Sequence, residues 1–284
     1  MKITRREMLK AGTCGTGLWM AGAGLPRHAA AAATAKIPIG LGLWSVREEC
    51  KKDLPAVLGA VGEMGYQGVE LAHDDYGFDG PAWRKFLDKN GLKCCGMHTT
   101  LPKLEGDAFK RMVDFQQALD NRYLILAAVP KKNLESIQGM HDTAKLFDEL
   151  AEKLRPHGMK IGYHCHGGDF QAVEGQIPWV VLGAESSPDV ILQLDVGNCL
   201  EGGGDYLAML TKFPGRAVTV HLKEHGAKPG GVLGEGMVQW NEVFRICETA
   251  GGTQWYIVED ETRKGPEALD AVRRCLESLR KMGK

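Results

Sequence analysis

Eight short apolar runs, separated by longer stretches of mixed polarity, restrict the fold of this 284-residue chain more than any other feature. They are IPIGLGLW (37–44), GVELA (68–72), LKCCGMH (92–98), YLILA (123–127), KIGYHCH (160–166), VILQLD (190–195), AVTVHLK (217–223) and WYIVEDE (255–261). Each has strand length, and the segments between them carry helical periodicity, as in 54–65, 108–119, 141–157, 205–212, 238–249 and 268–282. Glycines just past the helical stretches, as in GEMGYQG, DKNGLK, RPHGMK and ETAGGTQW, act as stops. Strict alternation of strand and helix demands a parallel sheet, closed or doubly wound. Eight units in about 250 residues favour closure. LGLWSVREE, after the first run, has no G-x-G-x-x-G phosphate loop. The expected fold is therefore α/β, a single-domain (β/α)8 TIM barrel over residues 36–284.

Residues 1–35 read differently. Thr4-Arg5-Arg6-Glu7-Met8-Leu9-Lys10 matches the twin-arginine (Tat) export pattern, followed by a glycine-rich apolar stretch and an alanine run at 29–33. The segment is expected to be a signal peptide, with the mature protein periplasmic or extracellular. Its apolar stretch is too short and too rich in glycine to give a stable membrane span. These 35 residues carry five Lys or Arg and one Glu, leaving 30 basic against 35 acidic side chains and a formal charge near −5. That balance argues against nucleic acid as a partner. Of eight cysteines, Cys14 lies in the signal; the remaining seven show no disulfide spacing and mostly fall in apolar or helical patterns, where they read as small buried residues.

Barrels of this kind place chemistry at the C-terminal ends of their strands. Read in order, those ends offer Trp44, Glu70 with His73, His98, Ala127, His164 with His166, Asp195 with Asn198, His221 with Lys223, and Glu259 with Glu261. A lone histidine there is more often a hydrogen-bonded rim residue, and a lone aspartate can simply cap the next helix. His164, Asp195, His221 and Glu259 together, on four successive strands, converge from one wall. They form a mixed nitrogen and oxygen donor set suited to a divalent metal with open positions.

YHCHGGDF, LQLDVGNCLEGGGD, TVHLKE, VLGEG and YIVEDE together resemble the xylose isomerase-like barrels of the sugar phosphate isomerase/epimerase group, from about residue 37 to the C-terminus. The resemblance implies a Mn2+, Zn2+, Co2+ or Mg2+ ion held by Asp195, His221 and Glu259. The fourth ligand would be His164, where better understood epimerases carry glutamate. It further implies proton abstraction next to a carbonyl through an enediolate, on a small carbohydrate. Glu259 is then ligand and base, His166 a second base and Lys223 a holder of substrate oxygen, while Trp44, Glu70, His98, Asn198 and Glu235 line the substrate. The export signal points to a non-phosphorylated sugar or keto-sugar.

The expected activity is sugar isomerisation or epimerisation. A lyase or dehydratase acting on keto-sugars or 3-keto-glycosides could use the same site, and a non-catalytic carbohydrate-binding barrel is the alternative of another class. Three-zinc endonucleases of the same superfamily need an Asp-x-x-His on the sixth strand, where this chain has Asp195-Val-Gly-Asn198.

Overall fold

The computed structural model describes residues 36–72 and 75–284. Residues 1–35, where an export signal was expected, and His73 lie outside the described residues. Eight parallel strands alternate with helices: β1 (Ile39–Gly42), β2 (Gly68–Ala72), β3 (Lys93–Thr99), β4 (Tyr123–Leu126), β5 (Lys160–His164), β6 (Ile191–Gln193), β7 (Thr219–Leu222) and β8 (Trp255–Val258). The helices are α1 (Arg47–Met64), α2 (Gly80–Lys89), α3 (Gly106–Ala118), α4 (Ile137–Leu154), α5 (Pro178–Glu185), α6 (Val196–Glu201), α7 (Tyr206–Lys212), α8 (Trp240–Ile246) and α9 (Pro266–Lys281). The chain folds as the expected (β/α)8 barrel.

The strands run in the order β6-β5-β4-β3-β2-β1-β8-β7. The remaining seam, between β6 and β7, is held by backbone hydrogen bonds from Leu192 to Arg216 (2.9 Å) and from His221 to Leu194 (2.9 Å), with a parallel bridge pairing Asp195 and His221. Closure of the barrel thus brings together two of the expected ligands, 26 positions apart in the chain.

Several elements end differently from their sequence patterns. The strands β5, β7 and β8 stop at His164, Leu222 and Val258, leaving His166, Lys223, Glu259 and Glu261 on the loops beyond. The first helix begins at Arg47, because Glu48 and Glu49 favour its positive N-terminal end, and Asp53 (φ −158°) breaks it ahead of Pro55, which lacks the N–H that a continuous helix would use. All seven cysteines in the described residues are free and buried. No helix among these residues is long and apolar enough to cross a membrane.

A register shift between β2 and β3 matters most for the site. Val69 pairs with Cys94 and Glu70 with Gly96, so Cys95 is the extra residue of a bulge. The shift sets Gly96 opposite Glu70, where any Cβ would lie 2.7 Å from Glu70 Oε1. The missing side chain makes room for a carboxylate inside the barrel.

Candidate metal centre

His164, Asp195, His221 and Glu259 converge at the C-terminal mouth. One donor atom from each lies within 4.8 Å of the others, and all four side chains are buried. Asp195 caps α6: its Oδ1 accepts the Asn198 amide at 2.7 Å. Its second oxygen, Oδ2, accepts nothing and lies 3.8 Å from His221 Nδ1. The capping role and the ligand role therefore use different oxygens of one carboxylate. His221 Nδ1 is 3.0 Å from Glu259 Oε2, at an angle outside hydrogen bonding, and is likewise unpartnered. A buried polar atom without a partner costs about 1–3 kcal/mol. These two atoms, 3.8 Å apart beside Glu259, are what a divalent cation would satisfy once His221 gives up its Nδ1 proton, and histidine nitrogens with carboxylate oxygens suit such an ion.

The electrostatics of these groups are strongly shifted. Burial pushes the Asp195 carboxyl up to about 7 even though the Lys223 ammonium pulls it down. Burial acts against the charged form of Glu259 too, but His221 and Lys223 outweigh it and hold that carboxyl at about 2. His221 is disfavoured as a cation by burial, yet Glu70 and Glu259 lift it well above the ordinary histidine range. His164 goes the opposite way. Burial and the imidazoles of His221 and His98 keep it neutral, well below the ordinary range. Partial desolvation also lowers His166, whose side chain is exposed at the mouth.

Beneath the cluster lies a polar layer that the sequence reading assigned to substrate. Glu70 is 2% and His98 7% exposed. Glu70 Oε2 accepts from His221 Nε2 at 2.6 Å and is 3.1 Å from His98 Nε2. The carboxylate therefore orients the imidazole from behind, the arrangement that fixes metal-ligating histidines elsewhere. Burial raises the Glu70 carboxyl, but His98 and His221 outweigh it and leave it ionised. Glu70 and His98 do not reach the open mouth as expected, because the bulge and Gly96 turn Glu70 inward.

Asn198 is buried too: it donates to the Cys165 carbonyl (3.0 Å) and accepts from Lys223 Nζ (2.9 Å). Lys223 also contacts Glu261 at 3.0 Å and Glu259 at 3.7 Å. Burial lowers the lysine, but Asp195 and Glu259 more than offset this and keep it a cation. Glu235 is not brought to the site; it accepts from the Val232 amide at 3.0 Å and faces Arg274 of α9 at 3.5 Å. Trp44 lies half-buried below the Arg47 guanidinium, 4.2 Å from its ring centre. Gln193, absent from the sequence-based candidates, sits at the centre of the polar layer with no exposure at all.

A cleft of about 400 Å³ opens beside the cluster, lined by His166, Gly167, Gly168, Gln171, Asn198, Glu201, Lys223 and Glu261. His166 is held at its edge by the buried Asp169, which accepts its backbone N–H at 2.6 Å and the Tyr163 hydroxyl at 2.9 Å.

A closed (β/α)8 barrel with a buried histidine and carboxylate donor set at its C-terminal mouth defines the class of protein. The chain belongs to the xylose isomerase-like TIM barrel family, whose profile matches residues 58–282. It is similar to the inosose dehydratase of Lacticaseibacillus casei, 27% identical over 248 residues that cover 71% of this chain and 81% of that protein. The inosose dehydratase of Geobacillus thermodenitrificans is 26% identical over 241 residues, covering 69% of this chain and 78% of its own. Among solved structures, a sugar phosphate isomerase/epimerase of Parabacteroides distasonis superposes with a TM-score of 0.76 at 21% identity, covering 90% of this chain and 98% of that one.

Proposed function

We propose that the protein is a divalent-metal-dependent dehydratase or lyase that removes a proton next to the carbonyl of a non-phosphorylated, polyhydroxylated ketone and expels the β-substituent. The observation that carries this reading is the pair of unpartnered buried atoms, Asp195 Oδ2 and His221 Nδ1, beside Glu259 and the Lys223 ammonium. His164, Asp195, His221 and Glu259 would hold the ion, which when bound supplies Lewis-acid polarisation of the carbonyl and its neighbouring hydroxyl.

The remaining chemistry belongs to side chains. Glu259 accepts the proton from the carbon next to the carbonyl, and the electron pair passes to the carbonyl oxygen, giving an enediolate. Lys223 Nζ, fixed by Asn198 and Glu261, donates to the oxygen on which charge develops. Glu259 then returns its proton to the departing β-oxygen as the enediolate collapses, releasing water or an alcohol. One base therefore suffices, and no second carboxylate opposite Glu259 is needed. The curated relatives' name, inosose dehydratase, agrees with this outcome.

Isomerisation or epimerisation is the second reading. It is favoured by His166, a neutral imidazole whose ring centre lies 5.1 Å from that of His164 and which can serve a different face of the same carbon. The cleft argues for an uncharged substrate. Its single lysine is already paired with Glu261, and Glu201 adds a second carboxylate, so a phosphate would meet repulsion. We propose further that the twin-arginine segment exports the folded protein; replacing both Arg5 and Arg6 with Lys should leave it in the cytoplasm on cell fractionation.

The test is incubation of metal-loaded protein in D2O with an inosose, with aldoses and ketoses, and with 3-keto-glycosides, read by mass spectrometry and NMR. Loss of water or an alcohol supports elimination, while solvent deuterium on an intact skeleton supports isomerisation or epimerisation. No exchange and no product with any of them would leave a carbohydrate-binding barrel. Lys223→Gln should lower turnover by about 10²–10³-fold with the metal content unchanged, the size expected for one lost oxyanion donor.

A further inference from the structure

Gln193 makes four hydrogen bonds from its carboxamide inside the barrel. Nε2 donates to Glu70 Oε1 at 2.7 Å and to Thr219 Oγ1 at 2.8 Å. Oε1 lies 2.9 Å from His98 Nε2 and 2.9 Å from His164 Nδ1. This uses both amide protons and both lone pairs, which is everything a carboxamide offers.

The orientation of the amide is dictated by its neighbours. Glu70 is surrounded by nitrogen donors, with His221 Nε2 at 2.6 Å and His98 Nε2 at 3.1 Å from its Oε2, so it acts as an acceptor and the Gln193 edge 2.7 Å from its Oε1 is the NH2 edge. Its oxygen therefore faces the two imidazoles, and each must present an N–H to it. For His164 that N–H is on Nδ1. In a neutral imidazole the other nitrogen, Nε2, then carries the bare lone pair. The Asn198 amide lies on that side, with Nδ2 3.5 Å from His164 Nε2.

We propose that Gln193 is a positioning residue that holds His164 in the Nδ1–H tautomer and turns its bare Nε2 toward Asp195, His221 and Glu259. The inference rests on the metal reading above and deepens it. It explains how an imidazole can stand where a carboxylate would need no such arrangement: a carboxylate presents lone pairs from either oxygen, whereas an imidazole offers one only if its proton is kept on the far nitrogen. Gln193 does this from β6, a strand adjacent to β5, where the parallel register sets it directly against His164.

The first measurement needs neither metal nor substrate. Long-range ¹H–¹⁵N correlation spectra of the metal-free wild-type protein, with the His164 signals assigned by their loss in His164→Gln, report which ring nitrogen carries hydrogen. A bare Nε2 is the expected result, and a bare Nδ1 overturns the inference whatever the activity turns out to be.

The second measurement is Mn2+ and Co2+ titration of Gln193→Met, which keeps the bulk and removes the acceptor. The expected result is a roughly 10–100-fold loss of affinity, typical of residues that orient metal ligands, together with a mixed His164 tautomer. A variant that loses thermal stability but keeps the wild-type tautomer and affinity assigns Gln193 a packing role only and overturns the proposal. Should Gln193→Met fail to fold, the wild-type spectrum decides. If the wild-type protein shows the expected tautomer but takes up no divalent ion, the metal reading fails while the positioning of His164 stands.

Discussion

Glu70→Gln is the substitution whose consequence the structure specifies most fully. The side chain keeps its volume, and its carbonyl oxygen can still accept from Gln193 in place of Glu70 Oε1. Its new NH2 group then faces His221 Nε2, which in the wild type donates to Glu70 Oε2 at 2.6 Å. Two donors cannot bond each other, so the one proton that a neutral His221 keeps moves from Nε2 to Nδ1, whereas in the wild type Glu70 holds it on Nε2 when the cationic ring gives up its Nδ1 proton to a metal. The move places a proton on the nitrogen 3.0 Å from Glu259 Oε2 and 3.8 Å from Asp195 Oδ2, where a cation would need a lone pair. The cost is one charge-assisted hydrogen bond, about 1.5–3 kcal/mol, or about 10–100-fold in metal affinity. Isothermal titration with Mn2+ and Zn2+ at fixed pH measures it, with circular dichroism confirming that the barrel is intact. Affinity within twofold of wild type in a folded variant would refute the assignment of Glu70 as the anchor of His221.

Metal affinity should rise with pH. Below about pH 7 the raised Asp195 carboxyl holds a proton in the metal-free protein, and His221 is held protonated through the same range. A cation has to displace at least one proton, so affinity gains at least about tenfold per pH unit below 7, and a flat titration between about pH 5.5 and 7 contradicts the ligand set. Stripping the ion with a chelator should lower the melting temperature by about 5–10 °C, from about 2.7 kcal/mol of linkage at a hundredfold excess over the dissociation constant and about 2–4 °C per kcal/mol for a domain of this size. Gly162→Ala probes the barrel interior, since its Cβ would stand 2.7 Å from both Ile125 Cδ1 and Ile191 Cβ. It should cost about 1–3 kcal/mol by overpacking, seen as a lower denaturant midpoint at unchanged slope; an unchanged midpoint would show that β4 and β6 yield without strain.

The order of elements and the types of donor were legible in the chain itself. Side chains in a parallel strand buried on both faces are apolar throughout, so each polar residue at the end of VILQLD or AVTVHLK stands out against its run. That contrast picked out His164, Asp195, His221 and Glu259 without any knowledge of distances. The same contrast did not show that Glu70 and His98 are buried against His221 and Gln193, and it passed over Gln193, for one physical reason. Whether a polar side chain at a strand end looks outward to substrate or inward to a neighbouring strand depends on register. Here the register was set by a one-residue bulge at Cys95 and by the missing side chain of Gly96.

Partners inside a closed barrel are also far apart in sequence. Glu70 meets His221 across 151 positions, and Gln193 donates to Glu70 across 123. No local pattern carries that information. The sequence alone determined that this chain forms a (β/α)8 barrel and which residue types gather at its mouth, because periodicity and polarity act over a few neighbours. Only the tertiary structure decided which atoms remain unpartnered and which imidazole nitrogens point at them, because those depend on closing the seam at Asp195 and His221.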